Sequence, residues 1–134
     1  MKVFLSYSAT DAELASEVAR QLESAGLSVW RPTDIPPGED PYKRMSAELE
    51  SADAMVVILT PQSAESNWVR RELEYALSSA RLNRRVFPIL SGWKEDEQPK
   101  NIPWILNHLK PFDVSTSSRE KVLRDLTAVL KHAY

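Results

Sequence analysis

The stretch Ala54-Met55-Val56-Val57-Ile58-Leu59-Thr60 constrains the fold more than any other part of the chain. Its apolar residues run on without the polar alternation of a half-exposed strand, so both faces must be covered. A strand covered on both faces by helices belongs to a parallel sheet assembled from βαβ units. Pro61 ends the run, because proline has no N–H to offer a ladder.

The rest of the chain supplies the partners that such a strand needs. Lys2-Val3-Phe4-Leu5-Ser6 is a short apolar strand followed by the turn residues Tyr7-Ser8-Ala9-Thr10-Asp11. Thr10 or Asp11 can cap a helix in which Leu14, Val18, Ala19, Leu22 and Ala25 recur at helical spacing, with Gly26 as its stop. Leu27-Ser28-Val29-Trp30 is a second strand, and the residues from Tyr42 to Ser51 read as a helix with Met45 and Leu49 inward. Arg85-Val86-Phe87-Pro88-Ile89-Leu90 is a fourth strand, in which Pro88 removes one donor and predicts an irregularity. The residues from Ser91 to His108 are broken by Gly92, Pro99 and Pro103 and read as loop plus a short helix. Leu109 to Val114 is a fifth, edge strand, and a last helix carries Val122, Leu123, Leu126, Val129 and Leu130. Five strands alternating with helices predict a single α/β domain over 1–134. The expected architecture is a flavodoxin-like, five-stranded parallel sheet of order 2-1-3-4-5 with helices on both faces. Ligands of such sheets sit beyond the carboxyl ends of the strands, at the switch point between strands 1 and 3.

One helix meets that crevice. Over Ser66 to Leu77, with Ser66 or Asn67 as cap, the residues Val69, Leu73, Ala76, Leu77 and Ala80 form a core stripe. Trp68 and Glu72, four apart, border it on one side, and Arg71 points away. A carboxylate beside an indole at the rim of a core can meet a ligand. The plainer reading is edge packing for Trp68 and a solvated acid paired with Arg70 or Arg71. Between strand 2 and the next helix, Arg31-Pro32-Thr33-Asp34-Ile35-Pro36-Pro37-Gly38-Glu39-Asp40-Pro41 is a long loop, of the kind more often functional than a short connection.

Composition removes several chemistries. The chain has no cysteine, which excludes disulfides, thiolate metal sites and a cysteine nucleophile. Its two histidines, His108 and His132, lack a metal-binding spacing, so no metal is expected. A formal net charge of -2 argues against nucleic acid as a partner. No apolar run approaches the roughly 20 residues that span a bilayer, and neither a signal peptide nor a membrane partner is expected, so a cytoplasmic location follows. The three glycines form neither a phosphate loop nor a dinucleotide fingerprint.

Taken together and in order, Val3-Phe4-Leu5-Ser6-Tyr7-Ser8, Gly26-Leu27-Ser28-Val29-Trp30, Asp34-Ile35-Pro36-Pro37-Gly38, Val57-Ile58-Leu59-Thr60-Pro61 and Trp68-Val69-Arg70-Arg71-Glu72-Leu73 resemble a Toll/interleukin receptor (TIR) domain of the bacterial, NAD-cleaving type. The resemblance implies that the loop from Asp34 to Gly38 is the family's BB loop, which gates the site and carries self-association or contact with other TIR domains. It implies that Glu72 is the catalytic glutamate of a Trp-x-x-x-Glu helix, with NAD as substrate and no cofactor. Trp68 is then its pocket neighbour, Tyr7 and Ser8 border the nucleotide, and Trp30 and Arg31 line the pocket. The implied activity is an NAD glycohydrolase or cyclase in immune or antiphage signalling. The alternative is a non-enzymatic TIR–TIR scaffold, and a third reading is a nucleoside deoxyribosyltransferase-like enzyme. Arg31-Pro32 departs from the family pattern, where an aromatic or aliphatic residue is followed by aspartate, and only Phe112 echoes the last family box.

Overall fold

The structure is a computed structural model. It describes residues 1–31, 37–62, 67–80, 82, 84–92, 112–114 and 119–132, with backbone alone at Asn67, Trp68, Asp113 and His132. In chain order the elements are β1 (Lys2–Ser6), α1 (Ala12–Ser24), β2 (Ser28–Trp30), α2 (Pro41–Ser51), β3 (Ala54–Leu59), α3 (Asn67–Ser78), β4 (Val86–Leu90), β5 (Phe112–Asp113) and α4 (Arg119–His132).

All pairings are parallel, in the order β2-β1-β3-β4-β5. The first four strands make the body of the sheet. The expected edge strand over Leu109 to Val114 is seen as only two residues, paired to Ile89 and Leu90, and 109–111 lie outside the described residues. The expected loop and short helix before it fall largely outside them as well.

Alternation along β1 and β3 separates two cores. Val3, Leu5, Ala54, Val56 and Ile58 pack with Leu14, Val18 and Leu22 of α1 and with Leu123, Leu126 and Leu130 of α4. Phe4, Met55, Val57 and Leu59 pack on the other face with Met45 and Leu49 of α2 and Val69, Leu73 and Ala76 of α3. Every residue of β3 is buried, as an uninterrupted apolar run requires.

Local chemistry sets the boundaries. Asp40 accepts from the Tyr42 N–H at 3.0 Å, and Pro41 fills the first position of α2, where no donor is needed. Gly26, at φ +89°, lets the chain reverse after α1. The capping of α1 differs from expectation. Ser8 accepts from the Thr10 N–H and caps a single 3₁₀ turn over Ala9–Asp11. Asp11 makes no capping bond, because its carboxylate accepts instead from Thr60 Oγ1 at 3.0 Å.

Pro88 does not break β4, and the hydrogen-bond polarity shows why. Arg85 O and Ser91 N both bond across to β3, so alternation turns the even-numbered residues toward β5. The donor that Pro88 lacks therefore faces β5, which begins its pairing one residue later, at Ile89. Two stripe assignments are corrected. Ala80 lies beyond the end of α3 and is exposed, and Val129, in the last turns of α4, is 43% exposed.

Phe4 is fully buried and stacks on Trp30 at 4.9 Å between ring centroids, with 30° between the planes. Phe4→Ala should cost about 3–5 kcal/mol of stability, read from denaturant melts, and change the Trp30 fluorescence.

Candidate active site

β1 and β3 are adjacent and parallel, so Ser6 and Thr60 close the same, carboxyl edge of the sheet. The chain returns after β3 into α3, whose N-terminal turns therefore stand over that edge. Glu72 lies in the second turn. It is three residues after Val69 and four before Ala76, and its full burial puts it inside the buried stripe and not on its border.

The result is a carboxyl group with no exposure to solvent. Neither of its oxygens has a hydrogen-bond partner among the described residues. It is not paired with Arg70 or Arg71: both are exposed, and the Arg71 guanidinium sits 5.8 Å over the Tyr42 ring. Burial without a partner disfavours the charged form and pushes the Glu72 carboxyl up to about 8. The Ser6 hydroxyl, near enough to lower it again in part, limits the shift. Yet Ser6 Oγ forms no hydrogen bond of proper geometry among the described residues, so the two groups are neighbours that stop short of engagement.

Ser6 was not singled out by sequence reasoning. The signal was present in the period of two: Ser6 lies two residues after Phe4, on the face that meets α2 and α3. Trp30 shares that face, and its indole Nε1 is a third buried polar atom without a partner among the described residues.

The other expected site residues are distributed more widely. Tyr7 packs into the core beneath α1 and α4, on the opposite side of the sheet from Trp30. Ser8 Oγ stands at the rim, 3.0 Å from Thr10 Oγ1. Arg31 is half-buried and its Nη1 donates to Ser16 Oγ on α1 at 3.4 Å. Gly38 is exposed, at φ +89° in a turn. Asp34 and the Trp68 side chain lie outside the described residues, as does the cap residue Ser66. The structure thus brings Glu72, Ser6 and Trp30 onto one face and directs Tyr7 and Arg31 toward α1. A depression of about 360 Å³ lined by Tyr42, Lys43, Ser46, Ala47 and Glu50 lies along α2 and includes none of these residues. Among the described residues, no helix is long and apolar enough to cross a membrane.

The raised carboxyl has a thermodynamic consequence. Unfolded, Glu72 sheds its proton near 4.5; folded, it keeps it to about 8. Between these values the native state holds more protons, so its stability falls as pH rises and levels off above the folded value. The full effect approaches ~5 kcal/mol. Glu72→Gln should remove this decline, making the variant the more stable protein at pH 8.5 and its equal at pH 4, as read by thermal melts across that range.

Comparison with known proteins bears on the family and the fold. Residues 3–127 match the profile of the TIR domain family. Over 90 residues the chain is 32% identical to a protein of Methanobrevibacter olleyae named probable 2' cyclic ADP-D-ribose synthase TcpO, an overlap of 66% of this chain and 26% of that one. The chain therefore spans about a quarter of that relative's length. Among solved structures, the TIR domain of the Toll-related receptor TRR-2 from Hydra magnipapillata superposes with a TM-score of 0.76 at 23% identity, covering 96% of this chain and 97% of that one. The TIR domains of the activated Roq1 resistosome give a TM-score of 0.71 at 14% identity, with 99% of each chain covered. The chain belongs to the TIR domain family.

Proposed function

We propose that this chain cleaves the nicotinamide–ribose N-glycosidic bond of NAD+, releasing nicotinamide and ADP-ribose or a cyclic isomer of it. The observation that carries the reading is the Glu72 carboxyl, fully buried and without a partner among the described residues, at the carboxyl edge of the sheet. A group held in that state costs stability and is characteristic of functional sites. The name of the Methanobrevibacter olleyae relative, which shares 90 aligned residues, supports the same chemistry.

The bond to be broken joins C1′ of the ribose to a pyridinium nitrogen. As it breaks, the electron pair goes to that nitrogen and nicotinamide leaves neutral, while positive charge develops on the ribose ring. A carboxylate close to C1′ stabilises that charge in a site with little water to screen it. Water attacking C1′ then gives ADP-ribose and a proton; a hydroxyl of the same molecule gives the cyclic isomer. Glu72 must be ionised for this work, and the cationic pyridinium that the site receives favours ionisation. Its charge thus arrives with the substrate. In this scheme Trp30 and Trp68 offer indole surfaces for stacking, and Ser8, Asp34 and Gly38 supply surrounding contacts of the nucleotide, whereas Tyr7 and Arg31, turned toward α1, take no part in it.

Because Glu72 is closed to solvent in the single chain, turnover requires the site to open. Assembly with further copies through the Asp34–Gly38 loop is the proposed means, and the TIR domains of the Roq1 resistosome are an assembled relative in fold. Signalling in immunity or antiphage defence is the proposed setting. The same burial favours one second reading, a scaffold that binds other TIR domains and leaves NAD+ intact.

The test is incubation with NAD+ under conditions that promote assembly, following nicotinamide by chromatography. The parent chain should release it, and Glu72→Ala should lower the rate by roughly 10²–10³-fold. A folded Glu72→Ala protein of unchanged activity would contradict the assignment. A parent chain that assembles and leaves NAD+ untouched would favour the scaffold.

A further inference from the structure

Ser6 is the last residue of β1 and is wholly buried, with an oxygen that makes no hydrogen bond among the described residues. Glu72 of α3, near enough for the Ser6 hydroxyl to act on its carboxyl, is equally buried and equally without a partner among the described residues. A strand end buried among Phe4, Val57 and Leu59 has no structural need of a hydroxyl, and alanine would fill the position without leaving a polar atom unsatisfied. Resting on the reading above, we infer that Ser6 is a positioning residue for the reaction, its hydroxyl donating to the Glu72 carboxylate and aiming it once the carboxyl has lost its proton.

Among the described residues, no charged group is placed to do this. The inward charged residue of α2 is Glu48, which Lys2 and Arg44 engage from β1 and α2. Lys2 begins β1 and Ser6 ends it, so that cluster belongs to the opposite edge of the sheet. β3 and β4 carry no charged side chain. On α3, Arg70, Arg71 and Glu74 are exposed. Asp11 belongs to the α1 side and accepts from Thr60. The hydroxyl of Ser6 also turns freely about its Cβ–Oγ bond, so it can swing onto the carboxylate as a proton leaves, with no movement of the backbone.

Removing that donor should raise the Glu72 pKa by about one unit. In the NAD+ assay, Ser6→Ala should move the ascending limb of the kcat–pH profile up by about one unit with KM little changed, so that the rate lost at neutral pH returns at high pH. Ser6→Thr, which keeps the hydroxyl, should restore the parent profile. A second arm needs no turnover: in pH-dependent melts, Ser6→Ala should move the point where stability levels off upward by the same amount, and should have no such effect in a Glu72→Gln background. An unmoved limb, or a loss uniform across pH that threonine does not repair, overturns the inference. If the parent chain leaves NAD+ intact, the proposed activity falls, and the melts alone decide the pairing: a shift upholds it and no shift overturns it.

Discussion

The fold depends on a strand that has no exposed side. Every residue of β3 is buried, with Ala54, Val56 and Ile58 against one helical layer and Met55, Val57 and Leu59 against the other. Burial of such side chains is the dominant favourable term in folding, and here both faces of one strand supply it. Once β3 is central, its neighbours are parallel and helices cover both faces. Each helix must then begin above the carboxyl edge, because it reverses a strand that ends there. Ser6, Thr60 and the first turns of α3 come together for that reason alone.

Against this apolar background the placement of Glu72 is expensive. A carboxyl group among Val69, Leu73 and the side chains of the sheet is tolerated by remaining neutral, at a cost that grows with pH. The opposite edge shows how the fold treats an acid that serves structure only. Glu48 is nearly as buried, and Lys2 and Arg44 engage it, with Arg44 Nη2 3.1 Å from its Oε1. Asp11, half-buried and also shifted upward by burial, has Thr60 as its donor. Among the described residues, Glu72 alone of these three acids lacks a donor, a contrast on which the proposed role of Glu72 rests.

Much of the architecture was legible because it rests on period and punctuation. The unbroken run of β3, the helical stripes of α1 and α3, the stop at Gly26 and the exposed Arg71 could be read directly. What could not be read depended on which partner a side chain would find in space. Asp11 has the form of a cap, but Thr60, 49 residues away, claims its carboxylate. The permissive position of Pro88 follows from the hydrogen-bond direction of individual residues, which no composition rule supplies. The depth of Glu72 was underestimated because helical spacing gives an angle and not a distance into the core. Ser6 passed unnoticed since one small polar residue at a strand end has little local signal; its meaning comes from the carboxyl across from it.

The central claim is that Glu72 is neutral in the free protein and becomes charged as the substrate enters. The side-chain carboxyl carbon of Glu72, followed by ¹³C NMR through a pH titration with and without NAD+, tests this directly. The account predicts a midpoint near 8 in the free chain and a lower one with NAD+ bound. A midpoint near 4.5 in both states would contradict it.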